Sequence, residues 1–387
     1  MASLEEDLTP GSRQSRCRKF FGKLGRLALD QWFLLGLGVV ILIASQVQVP
    51  SSQLHIKQVV VTYLCVAIIF FATGCTLPTQ ALIKGISRWQ VHLFIQIQCF
   101  LMTSAVIFGI VSACATNPHF MDGGLLVGLI FTGCVPTAIS SNIVMTRKAH
   151  GNDALTVVQS ALGNFLGPFI TPLLVQMYIA PHAWYTDFLP ESSGNYGEIY
   201  RRVFKQLGIS VFMPMVVGQC LQYCFPKRIR KRSIQWMLSK LGSLSLLVII
   251  WQTFDQAFGS NAFSSVKGNN IVFIVFISIV YFLIWLAICL ATSMPWLSKR
   301  DTIAVAYCVP AKTPAMGVPL SNLMFVGLSS LQQAKIQIPM VIFQGLQISL
   351  SSLLAIYFRK WVAVEEKEDL DKQDEPGQSS VDSTVKA

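Results

Sequence analysis

The sequence predicts an all-α polytopic membrane protein of ten transmembrane helices, arranged as two inverted five-helix repeats with broken, crossed fourth and ninth helices. Three observations lead there. Charged residues make up 13% of the chain against 53% hydrophobic, apolar runs of membrane-spanning length recur along it, and two runs in matching positions are interrupted by proline. A soluble chain of this size would be about a quarter charged. Runs such as 32–49, 59–75, 91–115 and 271–292 have about the 20 residues that a ~30 Å hydrocarbon layer requires. They are apolar on every face, which is the pattern of spanning helices and not of a β-barrel.

In chain order the spans fall near 32–49, 59–75, 91–115, 124–145, 155–179, 207–225, 241–258, 271–294, 302–326 and 337–358. Arg13, Arg16, Arg18, Lys19, Lys23 and Arg26 precede the first, and Lys227, Arg228, Arg230, Lys231, Arg232 and Lys240 follow the sixth. With both termini inside, 23 basic residues lie in cytoplasmic segments and 6 outside, the asymmetry of the positive-inside rule. The formal charge of +11 is thus a topology signal, and no nucleic-acid partner is expected. The chain divides into a cytoplasmic basic segment (1–30), a first repeat (31–179), an extracellular linker (180–206), a second repeat (207–358) and a disordered acidic cytoplasmic tail (359–387). Arg201, Arg202 and Lys205 in the linker fit this topology least well. The first ~30 residues are too polar for a cleavable signal, so the first span is expected to insert as its own anchor. Apart from Cys17 the ten cysteines lie in apolar spans, where they read as small buried hydrophobes and not as a disulfide framework.

The two sets of five spans start on opposite sides of the membrane, as in transporters built from inverted repeats. The fourth span reads GCVPTAISSNIV from Gly133 and the ninth YCVPAKTPAMGVP from Tyr307. Both contain Cys-Val-Pro, at 134–136 and 308–310, an offset of 174 residues against 175 between the starts of spans one and six. Proline removes a backbone donor, which hydrocarbon tolerates only where protein or a water-filled cavity meets the freed groups. Pro136 and Pro310 therefore mark a central site, at which half-helix ends supply partial charges.

These motifs resemble the bile acid:sodium symporter superfamily, and the resemblance covers nearly the whole chain, most sharply Gly133 to Leu174. It implies ten spans with crossed fourth and ninth helices. Residue by residue, it implies that Ser141 and Asn142 match a sodium-ligand pair, that Thr156 and Ser160 match hydroxyl ligands, and that Gln98 matches a glutamine ligand. The ninth helix departs from the pattern, since Ala306 and Pro310 stand where sodium-coupled members carry glutamate and glutamine. There the chain is similar to the divergent seventh-member branch, which includes fungal proteins and is linked to restraint of calcium uptake.

Lys312, with Thr313 beside it, lies about ten residues from each end of the ninth span, where an ionisable group is costly and usually functional. Near Ser141, Asn142, Thr156 and Ser160 its ammonium would stand where sodium sits in coupled relatives. Asp255 is the one carboxylate well inside a span, toward the outer end of the seventh, and is expected to be interfacial and wet. Calcium wants six to eight oxygens, usually with carboxylates, so direct calcium carriage is disfavoured. Gln159, Asn164, Gln219, Gln222, Gln344 and Gln347 read as interhelical hydrogen bonds. Cys220 and Cys224 share a helix face without a His or carboxylate beside them, which does not make a metal site. No phosphate loop, HExxH or other enzyme constellation occurs, and no cofactor is expected. The expected function is therefore a sodium-independent carrier-like protein of the plasma membrane that negatively regulates calcium uptake. Its expected partners are a small, anionic solute and membrane lipid. The alternative is a non-transporting partner of a calcium channel or its regulators.

Overall fold

The computed structural model describes residues 32–50, 53–76, 88–118, 120–180, 183–189, 196–229 and 231–374. The basic segment before the first span, Lys84, Arg230 and the last residues of the tail lie outside that range. Among the described residues every regular element is a helix. We label α1 (Trp32–Gln46), α2 (Ile56–Thr76), α3 (Trp89–Ala115), α4 (Gly123–Cys134), α5 (Ser140–Lys148), α6 (Asp153–Ile179), α7 (Arg201–Cys224), α8 (Arg232–Gly259), α9 (Gly268–Ser293), α10 (Lys299–Cys308), α11 (Pro314–Met324) and α12 (Ser330–Val364). Seven of them, α2, α3, α6, α7, α8, α9 and α12, are long and apolar enough to cross a membrane, and α1 and α4 are shorter apolar helices. The chain is a polytopic α-helical membrane protein.

The predicted fourth span is split into α4 and α5 and the ninth into α10 and α11, with breaks at 135–139 and 309–313. Helix α1 packs on α8, and α2 packs on α7 and α8. Helix α4 packs on α3 and α12, α6 on α5 and α10, and α9 on α10 and α12, while α8 also packs on α12 and α11 and so joins the two groups. The apolar core lies where these helices meet the breaks, with Phe131, Val135, Cys308, Val309 and Met316 among its buried members.

The loops assigned to one side of the membrane gather at one end of the bundle. Asp301 accepts bonds from Arg88 (2.8 Å) and Asn152 (2.7 Å), tying together the starts of α3, α6 and α10. At the other end Asp122 pairs with Lys335 at 2.8 Å, and Lys57 pairs with Asp255, whose second oxygen accepts the Val49 N–H at 3.0 Å.

Three expectations are corrected. Asp255 is 2% exposed and ion-paired, not wet, because folding brings Lys57 from α2 beside it. Residues 196–206 of the linker are helical and run into the sixth span as Tyr196–Leu207, with Val203 and Leu207 buried while Arg201, Arg202 and Lys205 are not. Residues 359–374 continue the last helix, which is described as far as Asp374. The run from Glu365 to Gln373 is rich in helix-forming Glu, Lys and Leu.

Glycine lets α2 and α7 approach closely. A Cβ at Gly74 in α2 would lie 2.3 Å from the Met215 carbonyl, and one at Gly218 in α7 would lie 2.6 Å from the Phe71 carbonyl. Gln219 spans the same contact by donating to the Gly74 carbonyl at 2.9 Å. Gly74→Leu is therefore expected to lower stability by about 1–3 kcal/mol or more through overpacking. Gly38, with no atom within 4 Å of its Cβ position, is the control, and Gly38→Leu should stay within ~0.5 kcal/mol. Thermal unfolding in detergent checks both.

The crossing of the two helix breaks

Proline cannot donate a backbone bond, and neither Pro136 nor Pro310 lies in a helix. Each break leaves the carbonyls of the preceding half-helix without the usual donors, and buried carbonyls need partners. Six consecutive carbonyls at the first break find them. Gly133 and Val135 accept the Lys312 amine at 2.8 and 3.1 Å, and Cys134 accepts the Thr171 hydroxyl at 2.9 Å. Pro136 accepts the Thr313 N–H at 3.1 Å, Thr137 the Asn164 amide at 2.8 Å, and Ala138 the Ser160 hydroxyl at 3.1 Å. The second break replies in kind, its Cys308 carbonyl taking the Thr137 hydroxyl at 2.5 Å. The two breaks are thus hydrogen-bonded to each other.

Lys312 is 1% exposed and is held at both its backbone and its amine. Its N–H donates to Gln347 Oε1 and its carbonyl accepts Gln347 Nε2, both at 2.8 Å. Besides Gly133 and Val135, the amine meets the Cys99 carbonyl at 2.7 Å and Thr103 Oγ1 at 2.9 Å. Three of these four ligands are backbone oxygens, and no carboxylate is among them. The charge is balanced by dipoles. Gly133 and Val135 lie at the C-terminal, partially negative end of α4, while Asp122 caps the positive end by accepting the Gly124 N–H at 2.9 Å. Cys99 lies in a π-helical stretch of α3, Gln98–Met102, where the wider turn disturbs the regular ladder and turns its carbonyls toward other donors.

Most of the residues expected at the site do meet at the breaks. Pro136, Ser160, Pro310, Lys312 and Thr313 do so directly, Thr313 also capping α11 through Ala315 N–H at 3.2 Å. Asn142 donates to Thr137 Oγ1 at 2.8 Å. Thr156 bonds Thr146 Oγ1 at 3.0 Å, and its carbonyl faces the Cys308 thiol at 4.0 Å. Ser141 Oγ is buried without a hydrogen-bond partner. Two placements differ from expectation. The Lys312 amine donates to oxygens of α3 and of the end of α4, and not to Asn142, Thr156 or Ser160. Gln98 turns toward α9, its amide 3.4 Å from Thr292 Oγ1 and its oxygen 3.6 Å from Cys289 Sγ.

Cys99, Thr103, Gly133, Val135, Thr137, Asn164, Thr171 and Gln347 are among the members that sequence reasoning did not assign to the site. Backbone ligands leave no trace in side-chain identity, and a threonine in an apolar span is ordinary. Asn164 and Gln347 carried a signal, as amides inside spans, but only as interhelical bonds. Of the other amides in that group, Gln159 is bonded to Gln96 and His92, and Gln344 to Gln347.

Residues 31–360 match the model of the SBF-like CPA transporter family. The chain is 34% identical to the Candida albicans solute carrier RCH1, over 94% of this chain and 97% of that protein. It is 32% identical to solute carrier RCH1 of Saccharomyces cerevisiae, over 88% and 86% of the two chains. It is 28% identical to sodium/bile acid cotransporter 7 of Mus musculus, over 88% and 96%.

Proposed function

Because the chain belongs to the SBF-like CPA transporter family, in the branch of the RCH1 solute carriers and the sodium/bile acid cotransporter 7 proteins, we propose that it is a sodium-independent carrier-like protein that negatively regulates calcium uptake. The protein is a multi-pass, transporter-like membrane protein. It has ten spans in two inverted repeats and both termini in the cytoplasm, lies in the plasma membrane, and moves a small anionic solute by alternating access. The pairing of α1 and α2 from the first half with α7 and α8 from the second supports the repeat. So does the gathering of alternate loops at opposite ends.

The observation that carries the proposal is the Lys312 amine, set in a cage of four oxygens that resembles the coordination of a monovalent cation. The cation is covalently attached, and Ala306 and Pro310, both buried, bring no side-chain oxygen to hold another. An anionic solute is supported at the start of α5, where Ile139 gives no side-chain cap and the Ser141 hydroxyl is unpartnered. Free N–H groups at a half-helix N-terminus favour negative charge. Calcium passage itself is not supported, since Asp255 is already neutralised by Lys57. Restraint of calcium uptake rests on the resemblance and is read as regulation.

Replacing external sodium with choline is expected to leave calcium uptake, compared between cells with and without the protein, unchanged. A sodium-dependent effect of the protein, or thermal stabilisation of the purified chain by sodium, would overturn the assignment.

A further inference from the structure

Helix α7 presents Met213, Val216, Val217, Cys220, Tyr223 and Cys224 on one exposed side, while Val211, Gly218 and Gln222 are buried. In a spanning helix the exposed side meets lipid, and residues four apart on it lie one above the other. Cys224 is the last residue of α7, and Cys220 is one turn deeper. Immediately beyond come exposed Lys227, Arg228, Lys231 and Arg232, with Tyr223, Phe225 and Trp236 also exposed. Lys240 lies over the Trp32 ring at 3.8 Å. Aromatic rings and basic side chains of this kind mark a membrane–water interface. Among the described cysteines, Cys65, Cys75, Cys99, Cys134, Cys289 and Cys308 are buried and Cys114 is half-buried, so Cys220 and Cys224 alone are exposed. They depart from the expectation of buried thiols because they fall on the unpacked side of α7.

We propose that Cys220 and Cys224 are S-acylation sites, each carrying a long-chain fatty acyl group in thioester linkage. An exposed thiol beside a basic segment at a helix end is where a membrane S-acyltransferase finds its substrate. The cysteine sulfur attacks the carbonyl carbon of a long-chain acyl-coenzyme A, a new carbon–sulfur bond forms, and the coenzyme A thiolate leaves and takes up the proton that the cysteine gave. No electrons are exchanged. The acyl chains then lie along the apolar face of α7, and the basic segment beyond meets anionic headgroups, two signals that together hold the interface. The inference rests on the topology proposed above for placing this end of α7 on the cytoplasmic side.

The test uses the full chain carrying Cys17→Ser in its native membrane. Free thiols are blocked with N-ethylmaleimide, thioesters are cleaved with neutral hydroxylamine, and the released thiols are coupled to a polyethylene glycol maleimide. A hydroxylamine-dependent shift in two steps is expected. Cys220→Ser and Cys224→Ser should each remove one step, and the double variant should remove both. No shift, or a shift that either serine leaves unchanged, overturns the inference. In parallel, Ser233→Cys should resist an impermeant maleimide in intact cells. Labelling there would overturn the topology, while the shift assay judges the acylation by itself.

Discussion

Replacing Lys312 by alanine is expected to destabilise the protein by about 2–6 kcal/mol and to remove most of its function, while the chain still inserts in the membrane. The Gly133 and Val135 carbonyls take bonds from the Lys312 amine, and each buried acceptor left unpaired costs about 1–3 kcal/mol. That is a large share of a typical net stability of about 5–15 kcal/mol. Insertion should survive, because it is set by the apolar spans and their flanking charges. Lys312→Met, which keeps most of the apolar stem, should behave like alanine, since the lost quantity is the charge and its bonds. Lys312→Arg should rescue poorly, because a planar guanidinium does not fit a cage arranged around a compact ammonium. If the amine stands in for a cation, sodium should raise the unfolding temperature of Lys312→Ala and leave that of the parent unchanged. Calcium uptake and detergent unfolding curves on the same preparations decide the matter. A Lys312→Ala protein with full activity and an unshifted midpoint sinks the idea.

Asp255→Ala is expected to cost about 3–5 kcal/mol, the penalty for breaking one side of a buried pair. It would leave the Lys57 amine, on a side chain only 6% exposed, without its counter-charge, and the Val49 N–H without its acceptor. The charge-free double variant Lys57→Met/Asp255→Leu should recover most of that loss, because replacing a whole buried pair with apolar groups of similar size is often neutral. The double variant also separates structure from transport. Normal folding with normal calcium uptake assigns the pair to stability, whereas normal folding with lost activity would give Asp255 a functional role and revive the calcium-carrier reading. If the single variant unfolds at the parent's temperature, the pair does not bear on stability.

Much of the architecture was legible before any coordinates. The breaks in the fourth and ninth spans were readable from Pro136 and Pro310 because proline's missing donor is a property of one residue. Lys312 was readable because a lone charge in an apolar run carries its cost wherever it folds. Its ligands were not, since Cys99, Gly133 and Val135 serve through backbone oxygen, and any residue type offers one. Gln98 sits next to a true ligand position, yet the π-helical stretch turns its side chain to α9. Asp255 looked wet because it stands near the end of a span, and the lysine that neutralises it is 198 residues away.

By itself, then, the sequence determined that the chain lives in a membrane, roughly where its helices run, which two are broken, and that one buried cation needs an explanation. These follow from constraints that act along the chain: the thickness of hydrocarbon, the demand that every backbone group be paired, and the cost of charge. Only the tertiary structure decided which groups satisfy those demands, joining Lys312 to the end of α4 and the bulge of α3, Lys57 to Asp255, and leaving Cys220 and Cys224 facing outward. Hydrogen bonds and ion pairs are made over about 3 Å, and which atoms come that close is settled when the helices pack.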